Sequence, residues 1–104
     1  MAYEDLAPKE FLAAFNQSEN AVLLDVRTAP EIEEASIDGH IDIDIQQPGF
    51  TEKVSALDKS KTYFIYCRSG NRSGQACKYM ATQGFDKLYN LKGGMIAWMD
   101  TEFE

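Results

Sequence analysis

The residues of this chain best suited to chemistry lie in one run, Tyr66-Cys67-Arg68-Ser69-Gly70-Asn71-Arg72-Ser73. Cysteine is a nucleophile only as the thiolate, so the question is what surrounds Cys67. A compact apolar run precedes it and a helical pattern follows, which puts the thiol at a strand-to-helix turn. There the first N–H groups of the helix have no internal partner and the positive end of its dipole faces the sulfur. Gly70 lets the loop curl so that successive amides converge as an anion nest. Arg68 and Arg72 add formal charge. Comparable settings lower a cysteine pKa from about 8.5 into roughly the 3.5–7.5 range. Such a thiolate can attack a sulfane sulfur and hold the persulfide that results. The persulfide is also an anion, so the nest serves both states without a separate base.

The elements that must position this loop alternate between strand-like and helical runs, the pattern of an α/β sheet with helices on both faces. Ala21-Val22-Leu23-Leu24-Asp25-Val26 and Thr62-Tyr63-Phe64-Ile65-Tyr66 are near-continuously apolar, as central parallel strands buried on both faces should be. Ile41-Asp42-Ile43-Asp44-Ile45 alternates strictly, with three Ile on one face, and reads as a half-exposed edge strand. Pro8 suits the first turn of a helix reaching about Asn16, with Leu12 and Phe15 on its buried face. Phe50 to Leu57 is a weaker helical run. Ser73 to Gln83 is a stronger one, closed by Gly84. Lys87 to Leu91 forms a last strand, and Gly93-Gly94 turns into a final helix expected to bury Ile96, Ala97 or Trp98.

Length and charge set the bounds. A chain of 104 residues with 44% hydrophobic residues fits one domain spanning 1–104, with a core that needs no metal or disulfide. Lys and Arg total 10 against 17 Asp and Glu, a net charge of −7 that disfavours nucleic acid and anionic membranes as partners. A small anionic ligand is compatible if local positive charge overrides the global field. The apolar runs are too short to span a bilayer, and Met1-Ala2-Tyr3-Glu4-Asp5 has no signal-peptide character, so a cytoplasmic location is expected. In that reducing compartment Cys67 and Cys77 read as one reactive and one packed thiol. No cofactor or metal is called for by these residues.

The loop Cys67-Arg68-Ser69-Gly70-Asn71-Arg72-Ser73 resembles the active-site loop of the rhodanese family. Leu24-Asp25-Val26-Arg27 is similar to that family's Asp-x-Arg motif. Gly84-Phe85, Leu88-Tyr89-Asn90-Leu91 and Lys92-Gly93-Gly94 with Trp98 resemble its C-terminal signature. The resemblance runs from about residue 3 to residue 100. It implies a five-stranded parallel sheet in the order 1-5-4-2-3 and a sulfurtransferase that carries sulfur on Cys67. Arg68, Ser69, Gly70, Asn71, Arg72 and Ser73 would bind the substrate. The implied partners are a small anionic sulfur donor and a thiol or dithiol protein acceptor. One segment departs from the family pattern. Ungapped alignment on Asp25-Val26-Arg27 puts Ser36 where the family has a histidine, which makes His40 a local packing or surface residue.

Two other functions fit the same features less well. Cysteine phosphatases and arsenate reductases share this fold and a related loop. However, Cys67 to Arg72 spans six residues, one fewer than the phosphatases use, and holds no acid to protonate an alkoxide. A non-catalytic binding module would have no need to keep Cys67 with both arginines. Around the loop, Asp25 and Arg27 are expected to give support. Asp25 would accept loop hydrogen bonds, and Arg27 would pair with Glu31 or Glu34. Cys77, on an apolar helix stripe beside Ala76, is expected to be a small buried hydrophobe.

Overall fold

The computed structural model describes residues 2–103. Five strands, β1 (Glu4–Leu6), β2 (Ala21–Asp25), β3 (Ile41–Asp42), β4 (Thr62–Tyr66) and β5 (Leu88–Leu91), form one sheet in the order β1-β5-β4-β2-β3. Every pairing is parallel. The helices are α1 (Pro8–Gln17), α2 (Ala29–Glu34), α3 (Phe50–Ser55), α4 (Asn71–Thr82) and α5 (Gly94–Met99). The α/β class and parallel pairing are those read from the sequence, and the strand order is the one the family resemblance implied.

The twofold side-chain period of the strands divides the core into two halves. Tyr63 and Ile65 of β4 join Leu24 and Val26 on one face, against Phe50 and Val54 of α3 and Ala76, Cys77 and Met80 of α4. Phe64 and Tyr66 point the other way with Leu23, against Phe11 of α1 and Met95 of α5. Phe64 meets Phe11 and Phe15 edge-on and stacks on Tyr89 at 5.0 Å. Covering both faces is what allows β2 and β4 to be apolar along nearly their whole length.

Several local expectations are corrected. In α1 the fully buried side chain is Phe11, while Phe15 is half-buried against the core and Leu12 lies outside it. β3 is only two residues long. Its ladder slips by one position, since the Ile43 amide bonds Asp25 O and the Ile45 amide bonds Val26 O. Ile43 is buried and Ile45 packs half-buried against the core, whereas Ile41 stays 41% exposed. α5 buries Met95, with Trp98 half-buried over Phe11 and Ile96 facing solvent. The reason lies at its start, where the Met95 amide bonds Cys67 O and turns that side chain inward.

α2 is a helix not among those expected from the sequence. Its signal was present, however: Thr28 and Glu31 form a reciprocal capping box around Pro30. α4 ends as expected, with Gly84 at φ +93° and the Phe85 and Gly84 amides bonding Met80 O and Ala81 O in a Schellman arrangement. It begins two residues earlier than expected, at Asn71. Gly70 takes φ +96° at the N-cap, so the chain enters the helix at once and Arg72 and Ser73 fall in its first turn.

Candidate active site

The carboxyl ends of β2, β4 and β5 meet at the loop after β4, the place where parallel sheets bind ligands. Cys67 is fully buried there. Its Sγ accepts hydrogen bonds from the Gly70 amide at 3.1 Å and from the Ser73 hydroxyl at 3.3 Å. Burial by itself would push the thiol pKa up. The Ser73 hydroxyl and the amides of Ser73, Ser69 and Gly70 outweigh burial and bring it below the ordinary value. The nest expected from the glycine and the helix start is thus assembled from backbone and one hydroxyl.

The arginines sit differently from expectation. Arg68 is exposed, and among the described residues it makes no ion pair. Arg72 is engaged bidentately by Glu31, both N–O distances being 2.8 Å. That pairing holds the Glu31 carboxyl down to about 2. Arg27 pairs with neither Glu31 nor Glu34. It lies buried against Asp25, with Nη2 at 2.8 Å from Oδ2, and donates to the Glu31 and Ala35 carbonyls. Asp25 accordingly takes the Arg27 amide and guanidinium rather than the Cys67 loop. The two residues buttress the α2 segment and do not touch the sulfur. Ser69 and Asn71 are exposed, and their side chains make no hydrogen bond among the described residues.

Two contacts close the loop from behind. The Met95 and Ile96 amides of α5 bond Cys67 O and Arg68 O. Gly94 makes that approach possible, since a Cβ there would stand 2.4 Å from the Arg68 carbonyl. On the other side, the Asn90 Nδ2 donates to Gly70 O at 3.1 Å and to Asp5 Oδ1 at 2.9 Å. Its Oδ1 accepts from the Ser73 hydroxyl. Asn90 and Asp5 were not singled out from sequence, and Glu31 was named only as a partner for Arg27. The one available sign was a polar residue inside the apolar strand Leu88-Tyr89-Asn90-Leu91.

Cys77 is fully buried in the α4 core, and burial, followed by Asp5 and Cys67, pushes its thiol up. His40 stands 3.9 Å from Asp42, and no hydrogen bond ties it or Ser36 to the loop. A cavity of about 360 Å³ opens beside the loop, lined by Arg68, Glu34 and the α5 side chains Met95, Ile96 and Met99.

The family model for the rhodanese-like domain matches residues 7–101. This chain belongs to the rhodanese-like domain family. Similar proteins agree with this placement. A protein named sulfurtransferase from Allochromatium vinosum is 38% identical over 81 residues, covering 78% of this chain and 74% of the relative. YtwF of Bacillus subtilis is 37% identical over 98 residues, covering 94% and 92%. The crystal structure of a rhodanese-related protein from Thermoplasma volcanium superposes with a TM-score of 0.83 at 25% identity, over 98% of this chain and 96% of that one. Among the described residues no helix is long and apolar enough to cross a membrane, and no cluster of three or more His, Cys, Asp or Glu is placed to hold a metal ion.

Proposed function

We propose that this rhodanese-like domain is a sulfurtransferase that carries sulfane sulfur as a persulfide on Cys67. The observation that carries this reading is the Cys67 sulfur itself, buried yet ringed by hydrogen-bond donors. With thiosulfate, the thiolate attacks the outer sulfur and the S–S bond to the sulfonate breaks. Sulfite leaves with the bonding pair, and the negative charge moves to the terminal sulfur of Cys67. A thiophilic acceptor, cyanide or a protein thiol, then takes that sulfur and returns the thiolate. The amides of Ser69, Gly70 and Ser73 hold anionic sulfur in both states, while Arg68 draws the anionic donor to the mouth. A reducing compartment, the cytoplasm, suits a chain whose two cysteines are unpaired.

The phosphatase reading is weaker for a further reason. A phosphoryl group needs a bidentate arginine at the loop, and both ends of Arg72 are taken by Glu31. Incubation with thiosulfate should add one sulfur atom to the Cys67 peptide by mass spectrometry, and Cys67→Ser should abolish both adduct and turnover. Sulfur found on Cys77 alone would refute the assignment. An aryl phosphate hydrolysed faster than sulfur is transferred would favour the phosphatase.

A further inference from the structure

Ser73 and Asn90 share a constraint that the proposed chemistry must meet. Ser73 is fully buried, and its hydroxyl carries a single proton. Two acceptors lie within its reach, Cys67 Sγ at 3.3 Å and Asn90 Oδ1. The Asn90 amide has only one sensible orientation. Its nitrogen faces the Asp5 carboxylate and the Gly70 carbonyl, both acceptors, so its oxygen must face Ser73. Asp5 sits opposite Asn90 in the β1–β5 register, which is how a three-residue strand at the sheet edge comes to matter to the site.

We infer that Asn90 is a positioning residue for sulfur transfer: it offers the Ser73 hydroxyl a second acceptor, to which the hydroxyl turns when Cys67 passes from thiolate to persulfide. This rests on the persulfide reading of Cys67. In the thiolate state the charge is on Sγ, and the hydroxyl donates to it. After loading, Sγ is bonded to two atoms and the charge has moved to the terminal sulfur, so Sγ becomes a poor acceptor. A buried hydroxyl left without a partner is costly, and Asn90 Oδ1 removes that cost in the loaded state. In the unloaded state the same oxygen competes with the thiolate for the proton. Both effects favour the persulfide.

The titratable groups facing this chain of contacts are Asp5 on β1 and Tyr3 just before it, and Arg72 and Cys77 on α4. None is altered in the variants that test the idea. The test equilibrates the protein with a fixed thiosulfate-to-sulfite ratio, reads the loaded fraction by intact mass, and titrates the Cys67 thiolate by its ultraviolet absorbance. In Asn90→Leu the loading constant should fall roughly tenfold, and the thiolate should form at lower pH because Ser73 now serves it alone. Ser73→Ala should do the opposite on both counts. In the double variant the Asn90 change should add nothing to Ser73→Ala. A thiolate forming at higher pH in Asn90→Leu, as a loosened loop would give, overturns the inference. So does an Asn90 effect that persists undiminished without Ser73. Should Asn90→Leu fail to fold, a lower loading constant in Ser73→Ala is enough to overturn it. A wild-type protein that never loads defeats the persulfide reading itself. One that loads normally, with Asn90→Leu loading equally well, defeats only the role of Asn90.

Discussion

At the residue scale, one of the loop's two positive charges is neutralised before any ligand arrives. Glu31 holds Arg72 through two short contacts, and both side chains are about three-quarters buried. Removing the carboxylate should therefore have two opposed effects. Glu31→Gln should lose about 1 kcal/mol of stability in denaturant titrations, the upper range for such a pair. It should also leave Arg72 free to attract the anionic donor, raising the rate of thiosulfate loading roughly twofold to fivefold. The pH dependence has a definite sign. The folded-state carboxyl is depressed from 4.5 to about 2, so the pair's contribution is complete above 4.5 and lost as pH falls toward 2. Wild type and Glu31→Gln should thus converge in stability across that acid window. Curves that stay parallel there would mean that the pair contributes nothing to folding.

At the element scale, the loop is held by the start of α5 as much as by α4. Gly94 has φ +59°, and a Cβ on it would also stand 2.6 Å from the Cys67 carbonyl. Both neighbours are backbone and cannot swing aside. Gly94→Ala should cost about 3 kcal/mol or more from combined strain and overlap, and should slow Cys67 alkylation as the loop shifts. Gly39 separates the two contributions. It has φ +90°, and a methyl added there would meet nothing within 4 Å, so Gly39→Ala should cost only the conformational penalty, about 1 kcal/mol. Equal thermal shifts for the two variants would show that α5 does not clamp the loop. The clamp was not legible from sequence. Gly93-Gly94 marked a turn, but which carbonyls that turn approaches depends on β5 lying beside β4.

At the scale of the whole molecule, the opposition is between a field and a site. The chain carries a net charge of −7, yet Arg68 is exposed at the mouth of the loop. Long-range repulsion of this size favours a basic protein acceptor over an acidic one. Exposed charges farther apart than about 10 Å are largely screened at 0.1 M salt, so this preference should be salt-sensitive. Sulfur transfer to a basic dithiol protein should be faster than to an acidic one at low ionic strength, and the gap should close as salt is added. Stopped-flow transfer rates from loaded protein would measure it, and a gap independent of salt would place the selectivity in short-range contacts instead.

What the sequence by itself determined are the features that depend on neighbours along the chain. The apolar runs of β2 and β4 called for strands covered on both faces. Cys67, Gly70 and the helix after them called for a nest, since a strand, a tight turn and a helix start are joined by covalent order. Resemblance to known loops then supplied the strand order. Only the tertiary structure decided which group each charge and each buried polar atom would meet. Arg27 had Glu31 and Glu34 within a helical turn or two, yet it turned back to Asp25, because both are buried at the end of one strand and neither could be left unpaired there. Glu31 was thereby free for Arg72, 41 residues away. Asn90 became part of the site because β5 lies next to β4, and Asp5 because β1 lies next to β5. Those pairings follow from distance across the sheet, which no spacing along the chain encodes.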